Sequence, residues 1–162
     1  MDLVYLAVPI TVWLASALSD LTSFRIPNRY TVALVVAWPI AAALAVLPVE
    51  AAGSCLLIAA ALLVAGFGLF AAKLLGAGDA KLIAASGLWL GPDAVLPFIL
   101  YTTLAGAALS LLLLRLRTVP LPVAANRYPW LVDLHERRKA VPYAVAIATG
   151  ALVSLPQSVF VS

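Results

Sequence analysis

The stretch KLLGAGDAKLIAASGLWLGPD, residues 73–93, carries the two features on which the fold depends. It contains an uncharged run of 11 residues, 82–92, which is about half as long as a typical membrane-spanning helix of ~20 residues. Directly before that run, Asp79 follows two glycines in an otherwise apolar region. The number of membrane-spanning helices depends on whether the short run crosses a membrane. The function depends on why the Asp79 carboxylate lies in this apolar region.

The composition is that of a membrane protein. Of the 162 residues, 65% are hydrophobic and 10% are charged, whereas soluble domains contain about 25% charged residues. A single cysteine, Cys55, and a single histidine, His135, exclude a disulfide framework and a cysteine-rich zinc site, and no metal or organic cofactor is indicated. Residues 1–19 lack the basic start of a signal peptide, so we interpret them as a retained spanning helix.

Five other uncharged runs are long enough to span a bilayer. We predict an all-α, polytopic integral membrane protein with six transmembrane helices in one domain, residues 1–162. The fourth helix is short, and a glycine-rich loop inside the membrane precedes it. The predicted spans are residues 3–19, 30–49, 51–72, 80–92, 94–114 and 140–160.

The basic residues give the predicted orientation. If the six spans alternate, the loops at 20–29, 73–81 and 115–139 lie on one side, and they hold every Lys and Arg of the chain. By the positive-inside rule this side is cytoplasmic and both termini lie outside. Without the fourth span the last two loops would fall on opposite sides, so the charge pattern supports counting it.

The short fourth span predicts that Asp79 lies below the membrane surface. Eleven helical residues rise about 16 Å, roughly half of a 30 Å hydrocarbon core. If the span reaches the outer face at a Gly91–Pro92 turn, residues 76–81 lie within the membrane thickness. An ionisable residue at that depth is costly and marks a functional site, and the glycines beside it allow another backbone to approach.

Asp20 is the expected partner of Asp79. It ends the first span, where a negative charge opposes the helix dipole and is a poor structural choice. It also lies on the cytoplasmic side, level with the inner end of the fourth span. Downstream, Pro27 breaks the chain, and Asn28 is the predicted N-cap of the second span.

Two adjacent carboxylates suit peptide hydrolysis. They share one proton, so that the ionised member activates a water and the protonated member donates to the carbonyl oxygen of a peptide bond. This is the chemistry of an aspartyl protease. Lys81 or Lys73 would either favour the ionised form or bind the substrate and its developing oxyanion, and the sequence leaves these alternatives open.

The segments SDLTSFRIPN, residues 19–28, and GAGDAKLIAA, residues 76–85, resemble the two signatures of the type IV prepilin peptidases, which are Gly-x-Gly-Asp intramembrane aspartyl proteases. KAVPYAVAIATG, residues 139–150, is similar to the closing helix of that family. The short form resembles most the CpaA/TadV-type branch of Flp pili. The resemblance implies that Asp20 and Asp79 are the catalytic pair. The motif and supporting residues are Gly76, Gly78, Lys81, Pro27 and Asn28.

The resemblance also implies the substrate and the compartment. The substrate is a prepilin with a basic leader and a hydrophobic helix, cleaved at the cytoplasmic face of the bacterial inner membrane. Membrane lipid is the other expected partner, and nucleic acid is not. Asp133 and Glu136 are the hypothetical contacts of the leader. The bifunctional members methylate the new N-terminus and carry paired Cys-x-x-Cys motifs; this chain has none, so we expect no methyltransferase activity.

Two other functions also place carboxylates in a membrane. A proton-coupled transporter or channel uses them as proton relays, but it predicts acids spread across the membrane depth, whereas both candidates lie at cytoplasmic helix ends. A non-catalytic subunit of a pilus or secretion assembly would not need Asp20 and Asp79 at a common level.

Overall fold

The computed structural model describes residues 3–122, 127–136 and 141–161, and these form helices with no strand among them. The predicted all-α class is therefore confirmed for this part of the chain. Short 3-10 helices, Leu3–Leu6 and Leu155–Gln157, lie at its two ends. The α-helices are α1 Ala7–Ser23, α2 Asn28–Leu44, α3 Val49–Ala71, α4 Ala77–Leu116, α5 Pro129–Glu136 and α6 Tyr143–Ser154.

Three helical segments in the described ranges are long and apolar enough to cross a membrane: Val4–Ser23, Val49–Ala71 and Ala77–Leu116. Two further apolar helices, Asn28–Leu44 and Tyr143–Gln157, are shorter. Many large apolar side chains on the outside of the bundle are exposed, as expected for contact with lipid. The membrane character is thus supported, whereas the count of six spans and their orientation stay predictions.

The predicted fourth and fifth spans both belong to α4, which is interrupted by a sharp kink at Gly91. Gly91 has φ 76° and ψ −174°, a backbone conformation that residues other than glycine rarely adopt. A Cβ atom at this position would also lie 3.2 Å from Cβ of Val159 and 3.3 Å from Sγ of Cys55. We name the two parts α4a, residues 77–90, and α4b, residues 92–116.

The chain reverses direction at this break. In a straight helix Asp79 and Gly106 would lie about 40 Å apart. Both lie instead close to the first turn of α6, because Gly106 packs against Tyr143 and Asp79 shares a cavity with Asp20, which binds Ala144. This reversal agrees with the turn predicted at Gly91–Pro92.

Helix α6 lies in the centre of the bundle, between α1 and α4b. Its small residues Ala144, Ala146, Ala148, Gly150 and Ala151 are buried. At the closest crossing, a Cβ on Gly150 would lie 2.9 Å from the carbonyl oxygen of Phe98. Small side chains let membrane helices approach closely. This packing places the N-terminus of α6 beside the end of α1.

Several predicted boundaries shift. The prediction of Asn28 as N-cap is wrong: Pro27 caps α2 in an extended conformation, and its carbonyl accepts the Tyr30 N–H, so the helix begins one residue earlier. Helix α1 continues to Ser23, beyond the predicted end at 19, and α4a begins at Ala77 rather than at residue 80, so that part of the predicted glycine-rich loop is helical. The predicted loop 115–139 contains α5. Its residues 123–126 and 137–139, the first predicted residue of the sixth span and both chain termini lie outside the described residues.

Candidate active site

Asp20 lies one turn before the end of α1, and its carboxylate binds the start of α6. The chain leaves α1 through Phe24, which has φ 52° and donates its N–H to the carbonyl oxygen of Asp20 at 2.8 Å. The Asp20 side chain is 7% exposed, and its Oδ2 accepts the N–H of Ala144 at 3.0 Å. The N-terminus of a helix carries a partial positive charge. A carboxylate that is unfavourable for α1 is therefore favourable for α6.

Asp79 lies in the first turn of α4a, beside the N-cap of its own helix. Gly76 is the N-cap, and its backbone lies directly beside the Asp79 carboxylate. A Cβ on Gly76 would lie 2.6 Å from Oδ2 of Asp79. The first glycine of the motif thus provides the space in which the carboxylate lies.

The second glycine of the motif allows a loop to pack against the helix start. A Cβ on Gly78 would lie 3.3 Å from Cβ of Ile26, in the segment that joins α1 to α2. The absence of a side chain at Gly78 lets this segment reach the beginning of α4a. The loop after Asp20 and the helix start with Asp79 thereby form two walls of one cavity.

Both aspartates line this cavity, which we call the aspartate cleft. Its volume is about 360 Å³, within the range of ~300–1,000 Å³ typical of ligand pockets. The structure thus brings together the two acids that the sequence analysis paired. The cleft is lined by Asp20, Phe24, Arg25, Ile26, Gly76, Ala77, Gly78 and Asp79.

A buried hydrogen bond ties α1 to α4a further along the two helices. Nε1 of Trp13 donates to Oγ of Ser86 at 2.9 Å, and that hydroxyl donates to the carbonyl oxygen of Leu82 at 2.7 Å. Trp13 and Ser86 are both fully buried. Neither residue was singled out from the sequence, where an isolated Trp and Ser carry no recognisable signal.

Lys81 points away from the aspartate cleft. Its Nζ donates to Oδ1 of Asn28 at 3.3 Å, at an exposed position between α4a and the start of α2. Residues two apart on a helix face different directions, so Asp79 and Lys81 do not share a face. The structure thus groups Lys81, Asn28 and Pro27 at the beginning of α2. The cationic residue that lines the cleft is Arg25, which lies inside the first signature segment but was not assigned to the site.

The proposed leader contacts lie on α5, outside the lining of the cleft. Asp133 is half-buried and Glu136 is exposed. Helix α5 is held in place through Leu134, whose side chain is buried. Nε and Nη2 of Arg117 donate hydrogen bonds to the Leu134 carbonyl oxygen at 3.2 and 3.1 Å. It also packs against α1, the helix that carries Asp20.

Among the residues with described positions, no three His, Cys, Asp or Glu side chains form a cluster that would hold a metal ion. The expectation that the protein has no metal stays a prediction.

Comparison with known proteins gives one match. The model of the type IV leader peptidase family matches residues 7–111, which include α1, both signature segments and most of α4b. No curated protein and no solved structure matches the chain. The matched region contains both aspartates and covers more than half of the chain, and it ends before α5 and α6.

Proposed function

Because the chain belongs to the type IV leader peptidase family, a family of aspartic proteases, we propose that Asp20 and Asp79 form the catalytic dyad of a prepilin leader peptidase. The observation that carries this proposal is that both carboxylates line one cleft, although they lie on different helices. Each carboxylate also lies at the N-terminus of a helix: Asp20 accepts the backbone N–H of Ala144 in α6, and Asp79 is in the first turn of α4a.

The proposed reaction uses a water molecule and the single proton that the two carboxylates share. The ionised carboxylate removes a proton from the water as its oxygen attacks the carbonyl carbon of the peptide bond. The protonated carboxylate donates its proton to the carbonyl oxygen. When the tetrahedral intermediate collapses, the C–N bond breaks and the carboxyl that took the proton from the water passes it to the leaving nitrogen. The other carboxylate takes a proton from a hydroxyl of the intermediate, which restores the shared proton of the pair. The pair acts as a unit, and the two helix N-termini favour its negative charge.

The depth of the cleft supports a substrate that lies partly in the membrane. Gly106 lies at the level of the first turn of α6. From Gly106, α4b continues to Leu116, a further length of about 15 Å at the rise of an α-helix. The proposed dyad thus lies near the end of α1, and α4b extends beyond its level. A substrate with a membrane-embedded helix reaches such a site from the side, and the bond beside the end of its helix is the accessible one.

We further propose that the substrate is a prepilin of the type IV or Flp class, cleaved at the cytoplasmic face of the bacterial inner membrane. The distribution of the basic residues supports this orientation. A basic leader would be attracted to Asp133 and Glu136, since α5 packs against the helix that carries Asp20. The lack of paired Cys-x-x-Cys motifs supports a peptidase without methyltransferase activity.

Co-expression with a prepilin from the same genome tests the proposal. Mass spectrometry of the pilin is expected to show a shortened chain whose new N-terminus is unmethylated. A pilin that keeps its leader in the presence of the folded protein would contradict the peptidase function. A proton-coupled transporter would instead change the pH inside proteoliposomes without shortening the pilin.

A further inference from the structure

The first turn of α6, residues 142–144, lies outside the region that matches the family model, yet it touches the aspartate cleft through Asp20. We infer that this turn is a positioning element of catalysis, in which the backbone N–H of Ala144 holds the Asp20 carboxylate in the orientation that the reaction of the pair requires. This inference rests on the proposed function, because it assigns a role in the same reaction.

The hydrogen bond is well suited to hold a carboxylate. Its length is 3.0 Å, the Ala144 residue is fully buried and Asp20 is nearly so. The first N–H groups of a helix have no acceptor within the helix, so the Ala144 N–H is available to an outside group. The adjacent N–H, that of Val145, instead binds the carbonyl oxygen of Pro142 at 3.2 Å. The neighbouring N–H groups of Ala144 and Val145 thus bind different acceptors, one outside and one inside the turn.

The turn is itself fixed by packing. Pro142 is buried, with φ −73°, and it has no N–H that would compete for the carboxylate. The ring of Tyr143 packs on Gly106 of α4b, where an added Cβ would lie 2.9 Å from Oη and 3.0 Å from Cζ. The donor at Ala144 is therefore held in place by packing against α4b, a helix that does not carry Asp20.

The consequence for the reaction concerns the orientation of the carboxylate. Oδ2 of Asp20 is held by the backbone, which leaves Oδ1 for the water or the shared proton. Without the N–H, the Asp20 side chain gains rotational freedom about its χ2 bond, and the dyad spends less time in the reactive geometry. Misplacement of a reacting group by about 1 Å costs on the order of 100-fold in rate. The first turn of α6 therefore acts through Asp20 and without touching the substrate.

Backbone ester substitution tests this role with little change in shape. Ala144→lactic acid, introduced by suppression during cell-free synthesis into nanodiscs, replaces the amide N–H by an ester oxygen and keeps the methyl side chain. We expect kcat for leader cleavage to fall by about 10- to 100-fold, since a charge-assisted hydrogen bond is lost, while KM stays within about twofold.

The matched control is Val145→2-hydroxyisovaleric acid, which removes the neighbouring N–H and weakens the same helix turn without touching Asp20. It is expected to keep kcat within about threefold. Equal losses in the two esters, or an unchanged kcat with the ester at 144, would overturn the inference. Asp20→Asn and Asp79→Asn, measured beside them, separate the two claims, because cleavage that persists in both would overturn the proposed function instead.

Discussion

Trp13 and Ser86 are joined by a buried hydrogen bond of 2.9 Å, and each lies seven residues from one of the aspartates. Trp13 precedes Asp20 by two helical turns, and Ser86 follows Asp79 by two turns. Because α1 and α4a run in opposite directions, equal spacing from a common contact brings the two carboxylates to the same level. This bond therefore sets the register of the proposed dyad.

Ser86→Ala tests that relationship. The change leaves Nε1 of Trp13 buried without its acceptor, which we expect to lower the free energy of unfolding by about 1–3 kcal/mol. Unfolding of the purified protein in mixed micelles measures the loss. Ser54→Ala is the matched control, since Ser54 also donates to the carbonyl four residues earlier but is exposed, and it is expected to change stability by less than about 0.5 kcal/mol. Equal effects at both serines would contradict the account.

Gly91→Ala is expected to destabilise the hairpin of α4a and α4b. A non-glycine residue at φ 76° is strained, and the new Cβ would meet Val159 and Cys55, so we expect a loss of about 1–3 kcal/mol. Gly53→Ala serves as the comparison, because nothing lies within 4 Å of a Cβ there and alanine favours the helix. Thermal unfolding of the two variants measures the difference, and a Gly91→Ala variant as stable as the parent would show that the turn tolerates a side chain.

Gly76→Ala is expected to lower activity with little effect on stability. Gly76 has φ −73° and ψ 146°, which alanine adopts readily, but its Cβ would displace the Asp79 carboxylate. We expect kcat for leader cleavage to fall by about 100-fold, the order of effect of a misplaced catalytic group. Gly68→Ala, where a Cβ has open space, is expected to cleave at the parental rate. A fully active Gly76→Ala variant would argue against the placement of Asp79.

Lys81→Met addresses the role of the motif lysine. Because Lys81 binds Asn28 at an exposed position and lies outside the cleft lining, the variant is expected to keep kcat within about threefold. Arg25→Met, which removes the cation that lines the cleft, is expected to change KM by more than Lys81→Met does. Steady-state cleavage of a synthetic prepilin peptide measures both. A large fall in kcat for Lys81→Met would restore the alternative in which this lysine tunes the shared proton.

The pairing of Asp20 with Asp79 and the break at Gly91 were both predictable from the sequence. The pairing follows from the charge pattern and the short fourth run, which together place two acids on the same side of the membrane and at a similar depth. The break follows from Gly91–Pro92, since this pair disfavours a continuous helix. Both predictions depend on residue types whose backbone or charge preferences are strong.

The partners of these residues were not predictable. Asp20 is unfavourable at the end of α1 when that helix is considered alone. Its compensating partner, the Ala144 N–H, comes close only because α6 lies in the centre of the bundle, and a backbone donor leaves no trace in the sequence. The direction of Lys81 depends on the position of α2, which tertiary packing determines. Asn28 failed as an N-cap because the carbonyl of Pro27 already starts the helix.

The central claim is that Asp20 and Asp79 together hydrolyse the leader peptide bond. It is tested most directly by reconstituting the parent, Asp20→Asn, Asp79→Asn and the control Asp93→Asn with a prepilin, and by following the free leader by mass spectrometry. Asp93 lies at the start of α4b, at the other end of the hairpin. We predict that each dyad variant loses at least about 1,000-fold in rate while Asp93→Asn cleaves normally. Leader release at the parental rate by both folded dyad variants would contradict it.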